Sequence, residues 1–329
     1  MAADRPVVIV NPRSGGGLGD REWMRAAAAI TDGLGPFDVR FTEERGHARR
    51  IAAEEAARRA LIVAFGGDGT ISEVADGMLA ASADPDGRVA ATDAGRPPAG
   101  GAARRPPAAL GIIPHGTGGD FRRALDLPRD VAAAALRVRA SAGRRIDAGR
   151  ATFAAPDGST AIRHFVNVAS FGMSSDIAGR ANHASKRLGA RVAFLSATLK
   201  SLLGYDNIDV AMSLDGGEQR RMRLLLGAVG NGRCFGGGMR ICPDAVLDDG
   251  VFDVVAVGAL GRLAVIAKLP RLYAGTHVTL PEVEVARART IEARPVDPGA
   301  RIPVELDGET PGFLPARFDV LPGALHIKG

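Results

Sequence analysis

The chain has 329 residues, 46% of them hydrophobic and 24% charged, with a formal net charge of +5. That is enough apolar material for two domain cores, and the basic excess, much of it Arg, suits anionic partners such as a nucleotide or anionic lipid headgroups. Aromatic residues are only 5% and are not interleaved with basic ones, which argues against a nucleic-acid partner. The two cysteines, Cys234 and Cys242, form no CxxC pair. Neither a disulfide framework nor a zinc site is expected, and both read as free thiols in a reducing compartment. No apolar run reaches the length of a membrane span and the N-terminus lacks the form of a signal peptide. The expected location is cytoplasmic, at most peripheral at the inner face of a membrane.

In chain order, Val7 to Val10 is a parallel-type strand that runs into Asn11-Pro12-Arg13-Ser14-Gly15 and then a helix from about Asp20 to Asp32. Phe37 to Thr42 alternates like a strand, and Gly46 to Arg59 has helical spacing. The apolar run Leu61 to Ala64 follows, then the turn Phe65-Gly66-Gly67-Asp68-Gly69-Thr70 and a helix carrying Ile71, Ser72 and Val74. Residues 83–107 hold almost no large apolar side chain and read as a surface insertion. Leu110 to Ile113 is the next strand. It ends in a third polar turn, Pro114 to Phe121, which leads to a helix from Phe121 to Leu125. This alternation predicts a parallel sheet with helices on both faces over residues 1–147.

From residue 148 onward the texture is strand-rich, with turns at Asp215-Gly216-Gly217, Asp249-Gly250 and Asp307-Gly308. One predicted strand runs from Arg163 to Ala169. The expectation is a mainly antiparallel β-sandwich domain over 148–329, interrupted by helices near Ser174 to Leu203 and Arg262 to Tyr273, with a C-terminal end able to return to the first domain. The first of these helices has a basic face and an apolar stripe, which fits either an anionic membrane surface or a core-packed helix with a solvated face.

Three glycine-rich turns between strands and helix starts point to phosphate. Glycine exposes backbone N–H groups, and a helix N-terminus adds unpaired donors with a partial positive charge. Asp68 in such a turn makes sense where a metal ion or ligand hydroxyl stands between carboxylate and phosphate. The pattern is neither a Walker A loop nor the spaced dinucleotide fingerprint. His115 reads as a solvent-facing loop residue. Asn167 and Ser170 fit equally an acceptor cleft or satisfied polar strand positions.

Taken together, Asn11 to Gly15, Gly66 to Thr70, Pro114 to Phe121, Pro243 to Gly250 and Asp307-Gly308-Glu309 resemble the diacylglycerol kinase catalytic family over nearly the whole chain. The resemblance implies an ATP-dependent lipid kinase that passes the γ-phosphate to a lipid hydroxyl, with ATP and Mg²⁺ as cofactors. It implies ATP contacts at Asn11, Pro12, Arg13, Ser14, Gly15, Thr42, Gly66, Gly67, Asp68, Gly69, Thr70, Ile71, Ser72 and Thr117. Asp68, Asp120 and Asp147 would surround the catalytic magnesium through water, and Glu309 would be the general base. Asp249, with the carbonyls of Val246 and Val251, would hold a second, structural magnesium. The implied partners are a lipid substrate and an anionic membrane surface, with no nucleic acid, and a homodimer is compatible with the family. One departure stands out: Gly119 occupies a position where the family carries Asn. An NAD kinase-like small-molecule kinase and a non-catalytic nucleotide- or lipid-binding protein remain open alternatives.

Overall fold

A computed structural model of the chain describes residues 5–83, 107–116, 118–173 and 206–329. Most of the predicted insertion, the helix predicted over Ser174 to Leu203 and the Thr117 contact therefore lie outside the described residues. The chain divides into two compact units. The first comprises 1–116, 125–147 and 321–329; the second comprises 117–124 and 148–320.

In the first unit, β1 (Val7–Val10), β2 (Asp38–Phe41), β3 (Leu61–Gly66) and β4 (Ala109–Pro114) are parallel, in the order β2-β1-β3-β4. The C-terminal end of the last strand, β14 (Glu309–Lys328), adds to β4 in parallel, with Ile327 opposite Leu110. The strands of this sheet are fully buried where both faces are covered, which is why β1, β3 and β4 are continuous apolar runs rather than alternating ones. On one face lie α1 (Asp20–Leu34) and α5 (Val131–Ala140), whose Ala26, Ile30, Ala134 and Val138 pack on Val8, Val63, Phe65 and Ile113. Two further helices, α2 (His47–Ala56) and α3 (Asp68–Ser82), pack against each other and contact β1 and β3. They approach so closely that a Cβ on Gly77 would come within 2.1 Å of the Arg49 carbonyl oxygen. Glu73 of α3 accepts hydrogen bonds from the backbone N–H groups of Gly46 and Ala48, satisfying orphan donors at the start of α2.

The second unit is antiparallel and β-rich. The helix α4 (Asp120–Ala124) belongs to it, although the sequence places that segment in the first domain. The Asp120 carboxylate accepts from the Gly237 N–H at 2.7 Å, which pins α4 to a loop of the second unit. Its strands are β5 (Arg144–Ala154), β6 (Thr160–Phe165), β7 (Val168–Gly172), β8 (Ile208–Leu214), β9 (Arg220–Gly230), β10 (Phe252–Gly258), β11 (Val283–Ala288), β12 (Thr290–Pro295), β13 (Pro303–Leu306) and the first part of β14. Their pairings run β9-β8-β12-β14-β13-β7 and return to β9, so two layers share the long strands β9 and β14. Between the layers lie Phe165, Phe171, Phe252, Phe318, Leu224, Ile291, Val304 and Leu306. The helix α6 (Arg262–Ala274) contributes Val265 to a second core with Leu225, Leu226, Val255 and Met239.

One predicted strand is corrected. Residues 163–169 are not one strand; they break between β6 and β7 at Val166 and Asn167. The break is where a carboxylate draws the backbone aside, because Asp307 accepts from the N–H groups of Val166, Asn167 and Val168 at 2.9–3.0 Å.

Candidate functional site

In the first unit the order β2-β1-β3 means that the chain leaves β1 toward one side and returns to β3 on the other. Ligands of open parallel sheets bind outside the carboxyl ends of strands at such a reversal. The two glycine turns sit there, side by side. Asn11 ends β1 and donates from its backbone N–H to the Phe65 carbonyl at 3.2 Å and from Nδ2 to Thr70 Oγ1 at 3.0 Å. Its Oδ1 accepts from the Arg13 N–H at 2.9 Å, and its carbonyl accepts from the Ser14 hydroxyl at 2.8 Å. Asn11 thus ties its own turn and the turn after β3 into one frame. Pro12 and Arg13 lead into a short 3-10 turn, Ser14–Gly16, in which Gly15 and Gly16 adopt φ of +67° and +104°, a region open to glycine. Gly67 caps α3, and Asp68 and Gly69 open its first turn, so a helix N-terminus follows directly on this frame. Ile71 and Ser72 are buried behind them, and Thr42 is buried just beyond β2, its N–H on the Val10 carbonyl at 2.8 Å.

The third turn joins this frame from β4. His115 donates from its backbone N–H to the Gly66 carbonyl at 2.7 Å, and a Cβ on Gly116 would sit 2.7 Å from the Gly67 Cα. Backbone meets backbone here, and only glycine permits it. His115 is not the solvent-facing loop residue expected. Its ring stacks on Phe65 with centroids 5.0 Å apart, and Nε2 lies over Gly15. Burial lowers its pKa, opposed by the Glu22 carboxylate 3.9 Å from Nε2.

The predicted acidic residues fall in different surroundings. Asp68 and Asp147 are in the first unit and Asp120 in the second. Asp147 is buried and accepts from the Gly323 N–H at 2.7 Å. Asp120 is buried too, and its other oxygen accepts from Arg123 at 2.6 Å. Among the described residues no three His, Cys, Asp or Glu side chains converge to hold a metal directly. Asp249 lies with Val246 and Val251 on one loop. One of its oxygens accepts from the Val251 N–H at 3.2 Å and the other is engaged by Arg287, so a guanidinium meets this carboxylate where a cation was expected. Gly119 adopts φ of +71°, a conformation that Asn and Gly both tolerate, so the loop keeps its backbone course without the Asn side chain.

In the second unit the site is the hairpin turn Asp307-Gly308-Glu309. Asp307 has φ of +48° and Gly308 φ of +91°. Glu309 begins β14 with its Oε2 3.8 Å from the Arg163 guanidinium. Ser170 turns out to be a satisfied polar position, whereas Asn167 is half satisfied, its buried Oδ1 having no hydrogen-bond partner among the described residues. The Asn167 Nδ2 donates to the Cys234 carbonyl at 2.7 Å, and the Ser170 hydroxyl donates to Glu305. Sequence reasoning missed Glu305, Asp307 as an acceptor of three amides, and Gly236-Gly237-Gly238. The run of glycines, all at positive φ, was the one readable signal among these.

The comparisons with known proteins bear on the family and the fold. Residues 5–151 match the family described as diacylglycerol kinase catalytic domain, and residues 167–329 match the YegS C-terminal NAD kinase beta sandwich-like domain. A Pseudomonas aeruginosa protein named "Probable lipid kinase YegS-like" is 31% identical over 99% of this chain and 95% of its own. A Mycobacterium tuberculosis protein named "Diacylglycerol kinase" is 30% identical over 97% of this chain and 93% of its own. A crystal structure of a diacylglycerol kinase from Bacillus anthracis shares the fold, with a TM-score of 0.67 at 22% identity, over 98% of this chain and 96% of that one. With the glycine frame and the two-unit fold, these matches establish that the chain belongs to the diacylglycerol kinase catalytic-domain family, a family of kinases.

Proposed function

We propose that the protein is an ATP-dependent lipid kinase that transfers the γ-phosphoryl group of ATP to a lipid hydroxyl, with a diacylglycerol-like acceptor. The observation that carries this reading is the pair of glycine turns at the ends of β1 and β3, joined through Asn11 and Thr70. Phosphoryl transfer needs charge neutralisation, in-line positioning and a base near the attacking hydroxyl, and little covalent work from the protein. The N–H groups of Gly15 and Gly16, and that of Gly69 at the start of α3, would supply donors for phosphate oxygens. Mg²⁺ would supply the remaining positive charge, with Asp68 reaching it through water and Asp120 and Asp147 setting the acidic surroundings. Glu309 would take the proton of the lipid hydroxyl as the new P–O bond forms. A lipid acceptor lives at a membrane surface, and the net charge of +5 favours an anionic one. Among the described residues no helix is long and apolar enough to cross a membrane.

The test is transfer from radiolabelled ATP to a panel of lipid micelles and to NAD, with Asp68→Ala as control. Label in a lipid, lost in the control, is the expected outcome. Label in NAD alone would reject the lipid acceptor, and ATP binding without transfer to any acceptor would reject the kinase reading.

A further inference from the structure

Beneath the Asp307-Gly308-Glu309 turn lies a carboxyl that none of the nucleotide, metal or base roles uses. Glu305, on β13, stands directly across from Ser170 on β7 and is 2% exposed. The Ser170 hydroxyl donates to one of its oxygens, and the Gly308 N–H donates to the other. Burying a carboxyl is costly, and strand positions beside it, Val304 and Leu306, are apolar. The two bonds share one geometric effect: they tie the middle of the turn to the neighbouring strand. The turn needs tying, because Asp307 holds a left-handed backbone that non-glycine residues seldom adopt.

Building on the reading of Glu309 as base, we propose that Glu305 is its positioning residue: by bridging Ser170 and the Gly308 amide it fixes the turn from which Glu309 projects. Asp307 does the complementary work on the other side of the turn, through the amides of 166–168. A base must stand within hydrogen-bond reach of the proton that it takes, so a turn free to rock would cost turnover rather than nucleotide affinity.

The chemistry also gives the tie a pH signature. Burial pushes the Glu305 carboxyl up to about 7, Asp307 adds repulsion, and the Ser170 and Gly308 bonds oppose both. Among the described residues, Asp307 is the charge that bears on it. In the unfolded chain the carboxyl returns to its ordinary 4.5, so the fold binds this proton more tightly than the unfolded state does. Stability from this group is then complete below the unfolded value, falls as pH rises toward about 7, and is flat above.

The experiment compares Glu305→Ala, Glu305→Gln and wild type in turnover, in KM for ATP and in hydrogen exchange of the peptide holding Gly308. Glu305→Ala is expected to lose turnover about 10–100-fold, with KM for ATP within about twofold of wild type and faster exchange at the turn. Glu305→Gln keeps an acceptor for the Gly308 N–H, and is expected to recover most of the turnover and to flatten the fall in melting temperature with pH. Unchanged exchange in Glu305→Ala, or a Gln variant as slow as the Ala variant, would overturn the proposal. Should Glu305→Ala not fold, Ser170→Ala removes one end of the same bridge and carries the exchange measurement. Normal turnover in Glu309→Gln would instead remove the base reading and the positioning role with it, and the exchange data would show whether the tie itself exists.

Discussion

The two regions that carry the proposed chemistry are held in shape by opposite means. In the first unit the frame is made by subtraction. Gly67 and Gly116 leave out side chains so that backbone can lie against backbone, Gly15 leaves room for the His115 ring, and a side-chain bond from Asn11 to Thr70 joins the first two turns. In the second unit the turn is made by addition. Two buried or half-buried carboxylates, Glu305 and Asp307, collect the amides of 166–168 and Gly308. A subtractive frame leaves N–H groups free for an anionic ligand, which is what a phosphate site requires. An additive frame engages its N–H groups with carboxylates, and Glu309, the proposed base, follows directly on that turn with Arg163 3.8 Å away. On the proposed reading, the difference teaches that one frame would present donors and the other an acceptor.

The widest separation between the two should come from Glu309→Gln. Loss of the base is expected to cut turnover about 10²–10⁴-fold while ATP binding, measured by calorimetry, stays within about twofold. Near-normal turnover would remove Glu309 from the chemistry. Next in size is a break in the subtractive frame. In Gly116→Ala the new Cβ would sit 2.7 Å from the Gly67 Cα, so one turn has to move. The expected result is a destabilisation of about 1–3 kcal/mol with nucleotide affinity down about tenfold or more, read by denaturant melts and calorimetry. Unaltered nucleotide affinity would mean that the contact between these turns does not shape the phosphate site. The matching break in the additive frame is Asp307→Asn. Asn tolerates the left-handed backbone, but its amide nitrogen would face the Val166 N–H donor. A loss of about 1–3 kcal/mol is expected, with turnover reduced and ATP affinity retained. A loss of ATP affinity equal to that of Gly116→Ala would erase the distinction between the regions.

The same contrast explains how much could be read from the sequence. Glycines announce themselves: Gly15, Gly66, Gly67 and Gly116 stand between apolar strands and helix starts, and the parallel sheet and the turns follow from that pattern alone. Carboxylates do not announce their partners. Asp307 before Gly308 looks like any hairpin turn, and Glu305 looks like a polar position on an alternating strand. The roles of both depend on amides about 140 residues away, which no local pattern encodes. The break between β6 and β7 was hidden for the same reason, since its cause is the Asp307 carboxylate. The tie of α4 to the Gly237 N–H could not be read either, since its two ends lie a long stretch of chain apart.

The smallest expected effect lies at the one imidazole in the subtractive frame. His115 stacks on Phe65, and its Nε2 is buried over Gly15 without a hydrogen-bond partner among the described residues. Burial lowers its pKa, so near pH 7 the ring is neutral and adds no charge to the phosphate site. His115→Phe keeps the stack and removes only the polar edge. If that edge serves a phosphate oxygen, the cost is one hydrogen bond from a neutral donor to a charged acceptor, about 1.5 kcal/mol at the low end of such bonds, or an ATP affinity roughly tenfold weaker with stability retained. An affinity unchanged by His115→Phe but lowered by His115→Ala would assign the ring to packing against Phe65. The backbone N–H groups would then stand as the donors of the frame, which is the subtractive principle in its strictest form.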